Sequence, residues 1–413
     1  MRFQDPYGTN MDDYSRFGGA TSTLPRFDAH NAGQSGQSGY SGYAGYSAAQ
    51  DQLPPRYSTI VGTKEEVTGT RSWYDPRGWS LRKKLIVAGC VVVVIVAVIV
   101  GAVEGVKHNA YPDYSKLNYT LKDTYSGTNF FDNFAYYTST DPTNGFVQYV
   151  DSSTASSMNL TYASEDSAVI RVDTSTQNQT NGRYSVRLTS NNQYDDGLFI
   201  FDVVHTPYGC ATWPALWLTD PDNWPAHGEI DVMESNNKGT HGNAMTLHTS
   251  KGCKMNVKRK ETGSAQHSNC LYSANDETGC SVEGKKASYG EEFNNNGGGV
   301  YAMELRDAGI RVWMFARDDI PNDISNSSST PDPSSWGEAF ADFPSTNCDI
   351  SSHFKNQSII ANIDICGDMA AANSYYKELY DCPSSCTQWA AENGANFTNA
   401  YWEFNSFKVY QSS

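Results

Sequence analysis

Basic side chains are scarce in this chain: 30 Lys and Arg stand against 46 Asp and Glu, a formal net charge of −16. No strong Lys/Arg cluster occurs beyond a short flank at Arg77, Arg82, Lys83 and Lys84. A nucleic-acid partner, which needs a basic patch to neutralise phosphates, is therefore excluded. A second cysteine pair or a histidine pair at ligand spacing is also lacking around Cys382-Pro-Ser-Ser-Cys386, which argues against a zinc site there. Residues 1 to about 70 have little aliphatic content and repeat Gly, Ser, Gln and Tyr. Such a segment cannot bury a core, and residues 1–84 are expected to be a disordered cytoplasmic tail.

One long apolar run is present. Leu85 to Val103 carries no charge and is rich in Val and Ile, long enough to cross a bilayer as a helix. The basic flank precedes it, whereas Glu104 and Lys107 after it cancel. The positive-inside rule then places the N-terminus in the cytoplasm and makes 85–103 a signal anchor of a single-pass type II membrane protein. A cleaved signal peptide is disfavoured by the long polar leader. Residues 104–118 read as a linker and 119–413 as one globular domain.

Cysteines and glycosylation signals agree with that topology. Cys90 lies inside the apolar run, and the other eight cysteines all follow it. An even number suits four disulfides in an oxidising compartment, with the pairing left open. The sequons at Asn118, Asn159, Asn178, Asn326, Asn356 and Asn396 all follow the run. Their one-sided distribution points to a lumenal or extracellular domain, with the plasma membrane as the expected location.

From Leu117 onward short alternating runs are separated by Gly, Asn, Asp and Ser clusters, with few helical periodicities. Strands are predicted over 167–172, 183–188, 197–203, 212–218, 229–234, 244–248, 300–305, 310–315, 357–363 and 404–410. The fold class expected is all-β, a sandwich preceded by one transmembrane helix. Helices are predicted only at 369–379 and 382–392.

His227-Gly-Glu-Ile-Asp-Val-Met-Glu234 is the stretch with the most chemistry in it. On a strand Glu229 and Asp231 share a face, but Glu234 falls out of phase. One extra residue near Met233, a β-bulge, would bring all three acids together. Like charges on one face raise the pKa of at least one of them. This suits glycoside hydrolysis, in which an ionised carboxylate attacks the anomeric carbon and a protonated one serves the leaving oxygen. An acidic strand face or a calcium site fits the acids alone equally well. Aromatic residues are abundant, with 9 Trp and 26 Tyr; such rings line sugar clefts, although most serve cores.

Thr212-Trp-Pro-Ala-Leu-Trp-Leu218, Gly228-Glu-Ile-Asp-Val-Met-Glu234, Thr246-Leu-His-Thr249, Cys366-Gly-Asp368 and Tyr401-Trp-Glu-Phe-Asn-Ser-Phe-Lys-Val-Tyr410 together resemble glycoside hydrolase family 16. The likeness is to the fungal endo-1,3(4)-β-glucanases, or laminarinases, and runs from about Tyr119 to the end. It implies a concanavalin-like β-jelly roll and a retaining mechanism. It also implies Glu229 as nucleophile, Glu234 as acid/base and Asp231 as the acid that tunes the nucleophile. By the same resemblance Trp217 and Trp224 line the cleft, and Arg187 and His248 match sugar-contacting positions. No cofactor or metal is implied, the partner is a β-glucan, and no protein partner is indicated. Met369 departs from the family pattern, where a Trp usually follows Cys-Gly-Asp. A transglycosylase or a β-1,6-glucan assembly factor shares this architecture, and a non-catalytic glucan-binding protein is the less favoured alternative.

Overall fold

The computed structural model describes residues 74–175, 178–273, 275–326 and 330–412. The predicted disordered tail lies almost wholly outside the described residues. A helix, Leu81–Asn109, contains the apolar run. Its segment Leu81–Ala102 has a mean hydropathy of 3.2 and is long and apolar enough to cross a membrane. Among the described residues none of that segment is covered.

The remainder is built on two eight-stranded sheets. One runs in the order Ser264–Ser268, Cys280–Glu283, Ala244–His248, Glu229–Glu234, Thr212–Thr219, Gln357–Ile365, Arg187–Tyr194, Phe134–Tyr136. The other runs Ala341–Pro344, Gly309–Ala316, Gly299–Arg306, Gly197–His205, Tyr401–Ser412, Ala168–Arg171, Thr161–Ala163, with Tyr119–Ser126 also pairing with Tyr401–Ser412. Strand neighbours in space are mostly distant in sequence. Alternate residues fill a shared core: Leu216, Leu218, Ile230, Val232 and Leu247 from the first sheet meet Phe199, Phe201, Phe404 and Phe407 from the second. Burying each such side chain contributes roughly 1.5–3 kcal/mol, which is what holds the two sheets face to face.

All-β is nevertheless the wrong class. Besides the 29-residue helix, α-helical turns at Ser152–Ser157, Gly290–Asn295, Asn322–Ser325, Ile350–His353, Gly367–Ala370 and Cys386–Glu392 and a π-helical turn at Ser374–Leu379 fill the connections. The chain is a β-sandwich with substantial helix. These segments are too short to display a 3.6-residue period, so periodicity missed most of them. Three of them are started by a local side-chain cap, Asp151 accepting from the Thr154 N–H, Asp349 from the Ser352 N–H and Ser385 from the Gln388 N–H. The single helix predicted over 369–379 is broken into two, and the strand predicted over 183–188 is interrupted at Val186.

Four disulfides join Cys210–Cys382, Cys253–Cys348, Cys270–Cys280 and Cys366–Cys386, leaving Cys90 free. The segment before the first strand lies on the domain: Tyr111 and Tyr114 donate hydrogen bonds to Asp342, and Tyr114 packs 4.0 Å from the Arg311 guanidinium.

Candidate active site

Glu229–Glu234 lies near the middle of its sheet, between Thr212–Thr219 and Ala244–His248. Gly228 enters it with φ +76°, and a Cβ there would overlap Phe354 and the His353 carbonyl, so only glycine fits. Against Thr212–Thr219, Asp231 pairs with Trp217 and Met233 with the next residue, Leu216, so Val232 is supernumerary. Against Ala244–His248, Asp231 faces Thr246 and Glu234 faces Ala244. This is the bulge that the strand phase requires. Val232 and Met233 both turn into the core, and the three acids are left on the opposite side.

His248 sits opposite Glu229 in the register. Its Nε2 lies 3.5 Å from Asp231 Oδ2, a charge contact rather than a well-formed hydrogen bond. Burial alone would lower the imidazole pKa, but Asp231, Glu229 and Glu234 push it up to about 9. Burial in turn raises the pKa of Glu229, with Glu234 adding to it and His248 opposing. Asp231 is raised by burial and by Glu229. Glu234 is pushed up to about 7 by burial and the Asp231 charge, against the opposing Trp213 hydrogen bond. The site thus holds three crowded carboxyls around one imidazolium, and they cannot all ionise easily.

Ligand atoms of Glu229, Asp231 and His248 lie within 4.8 Å of one another, near enough to hold a cation.

The indole of Trp224, an exposed residue, donates to Glu229 Oε2. Trp217 donates to Asn362 Oδ1 at 2.8 Å on the neighbouring strand. Arg187 lies between the rings of Tyr137, at 4.7 Å, and Trp217, at 5.0 Å. Glu229, Asp231, Glu234 and His248 therefore come together, with Trp224 on Glu229, Trp217 on the adjacent strand and Arg187 three strands away. Met369 is half-buried in the Gly367–Ala370 turn.

Three residues with no role assigned from sequence also belong here. Trp213 donates from Nε1 to Glu234 Oε1 at 2.8 Å; it lay within a recognised motif. Tyr272 packs 4.4 Å from the Trp224 ring, on the loop closed by Cys270–Cys280. Asn362 receives Trp217. Nothing in the local pattern of the last two marks them.

The XgeA-like, catalytic GH16 domain profile matches residues 134–410. The chain belongs to glycoside hydrolase family 16. It is a glycoside hydrolase, 45% identical over 305 residues to a probable glycosidase of Schizosaccharomyces pombe, covering 73% of this chain and 71% of that protein. It is 39% identical to the endo-1,3(4)-beta-glucanase xgeA of Emericella nidulans, covering 71% of this chain but only 47% of that longer relative. Among solved structures, laminarinase 16A from Phanerochaete chrysosporium, with beta-glucans in both donor and acceptor sites, is 44% identical with a TM-score of 0.69, covering 71% of this chain and 100% of that one. An elongating family 16 beta-1,3-glucosyltransferase is 38% identical with a TM-score of 0.66, over 71% and 100%.

Proposed function

We propose that this chain is a retaining endo-β-glucanase that hydrolyses β-1,3 or mixed β-1,3/1,4 glucan by double displacement at the cell wall. One observation carries the reading: the bulge puts Glu229, Asp231 and Glu234 on the same side of one strand, around His248. Glu229 is the nucleophile. The Trp224 indole and the His248 charge favour its ionised form, opposing the effect of burial. Glu234 is the acid/base, kept protonated near neutrality by burial and by Asp231. Asp231 holds His248 and, through its charge, separates the two glutamates in proton affinity. Arg187, Trp217, Trp224 and His248 contact the sugar. Arg187 Nε is buried with no hydrogen-bond partner among the described residues.

In the first step Glu229 attacks the anomeric carbon while Glu234 gives its proton to the departing glycosidic oxygen. In the second Glu234, now ionised, takes a proton from a water whose oxygen attacks the anomeric carbon and expels the Glu229 carboxylate, which releases the sugar with its original configuration. Laminarin digestion followed by NMR and mass spectrometry tests this. The β-anomer appears first, and internal cleavage gives oligosaccharides shorter than the substrate. The α-anomer appearing first overturns retention. Products longer than the starting chains establish the second reading, transglycosylation, which the likeness to an elongating glucosyltransferase favours.

The protonation states set the pH profile. Glu234 must carry its proton in the first step, so kcat/KM falls as pH rises through about 7, tenfold per unit at the limit. Glu229 must be ionised, so the acid limb lies above the ordinary glutamate value. Rates on an unactivated oligosaccharide across pH 3–9 check this, and a profile flat from about pH 6 to 9 removes Glu234 as the acid.

The domain is held outside the cytoplasm by a membrane helix. Residues 1–84 form the cytoplasmic tail, 85–103 the signal anchor, 104–118 the linker and 119–413 the catalytic domain. Asn118, Asn159, Asn178, Asn326, Asn356 and Asn396 are all exposed, which suits glycosylation. Asn356 also donates to Asp220 at 3.3 Å through the nitrogen that would carry a glycan. Protease added to sealed microsomes removes an N-terminal tag and spares a C-terminal one; the reverse pattern sinks this topology.

A further inference from the structure

On the side of Ala244–His248 the bulge at Val232 and Met233 is held by a side chain. Asn243 is fully buried and lies just before Ala244–His248. Its Nδ2 donates to the Val232 carbonyl at 2.9 Å, and its Oδ1 accepts from the Glu234 N–H at 3.0 Å. Those two backbone groups flank Met233, the point where two residues oppose one across the ladder. One carboxamide thus supplies a donor and an acceptor together, as a strand peptide would.

We propose that Asn243 is a positioning residue for Glu234: its carboxamide clamps the bulge and thereby decides which face of the strand the Glu234 carboxyl occupies. The proposal rests on the reading of Glu234 as the acid/base. A strand that lost the extra residue from its bulge would shift phase by one beyond that point, and Glu234 would turn toward the core. Asparagine suits the task because both hydrogen bonds are needed. Aspartate offers no donor to Val232, glutamine is a methylene too long, and alanine leaves a buried carbonyl and a buried N–H unsatisfied.

Asn243 is itself immobilised. Its N–H donates to Ser288 Oγ at 2.9 Å, and its carbonyl accepts from the Gly284 N–H at 2.8 Å. Ser288 Oγ in turn donates to the Lys285 carbonyl at 2.5 Å. Gly242 before it has φ +96°, and a Cβ there would overlap the Lys285 carbonyl, so the approach of this turn leaves no room for another residue. At the other end of Glu234, Trp213 holds Oε1 at 2.8 Å. The acid is therefore gripped at its backbone by Asn243 and at its carboxyl by Trp213.

The test compares Asn243→Ala with Glu234→Ala on two donors, a β-1,3-gluco-oligosaccharide and a dinitrophenyl β-glycoside, the second of which leaves without a proton. Glu234→Ala calibrates the comparison and must lose far more on the first donor than on the second. With Asn243→Ala, kcat/KM on the oligosaccharide should fall about 10²-fold, the order expected when a reacting group is displaced by about 1 Å. On the dinitrophenyl glycoside the first step should be nearly unchanged, and the alkaline limb of the pH profile should move. Equal losses on both donors, or no loss on either in a folded protein, overturn the proposal while leaving the role of Glu234 intact. If Glu234→Ala itself shows no dependence on the leaving group, the underlying reading fails and the proposal with it. Asn243→Asp keeps the size and the acceptor but loses the donor. It provides the same comparison should the alanine variant not fold.

Discussion

Azide restores turnover to both Glu229→Ala and Glu234→Ala, and the two products are opposite anomers. On the roles proposed here, Glu229→Ala removes the only group that forms the covalent intermediate. Hydrolysis should fall on the order of 10⁶-fold, the loss seen when the nucleophile of a covalent hydrolase is removed. Azide then fills the space left by the carboxylate, attacks the anomeric carbon directly with one inversion, and gives the α-azide. In Glu234→Ala the nucleophile remains and an activated aryl glycoside still loads the enzyme, because its leaving group needs no proton. Azide attacks the glycosyl-enzyme, a second inversion follows, and the product is the β-azide. NMR of the isolated glycosyl azides reads the outcome. The same anomer from both variants, or rescue of Asp231→Ala and of neither glutamate variant, would show that the roles are assigned to the wrong residues.

Arg183→Met destabilises the domain by about 3–5 kcal/mol, the cost of removing one partner from a buried ion pair. Arg183 is fully buried. Its Nε donates to the Ala390 carbonyl at 2.6 Å, its Nη2 to the Ala391 carbonyl at 3.2 Å, and its Nη1 to Asp173 Oδ2 at 3.2 Å. It thereby ties the end of the Cys386–Glu392 helix to the sandwich. Methionine fills much of the volume but satisfies none of these acceptors and leaves the Asp173 carboxylate facing an apolar chain. Denaturant titration of the wild type and the variant, both with disulfides intact, measures the loss. Equal midpoints and slopes would show that the ion pair and its hydrogen bonds only offset the cost of burying them.

Local patterns made the site strand readable before any coordinates. Glu229 and Asp231 alternate with Ile230 and Val232, and the misplaced phase of Glu234 called for an extra residue at the position where the ladder shifts. Trp217 and His248 were marked by motifs on strands that do flank the acids. Tyr272, Asn362 and Asn243 were not. Each acts through a partner at least nine residues away in sequence: Tyr272 on Trp224, Asn362 on Trp217, Asn243 on Val232 and Glu234. No periodicity encodes such a contact. The short helices escaped for a related reason, since four to seven residues carry no repeating apolar face.

By itself the sequence determined the apolar helix, the run of strands, the presence of four cysteine pairs and the acids of one strand. All of these are properties of neighbouring residues: hydrophobic length, alternation, parity and spacing. Which cysteines join, which strand lies on the far side of Thr212–Thr219, which indole grips which glutamate and which amide holds the bulge were decided only by the tertiary structure. These depend on pairings such as Gln357–Ile365 with Thr212–Thr219 that join segments far apart along the chain, where the burial of each apolar face and the pairing of each buried polar group must be satisfied together.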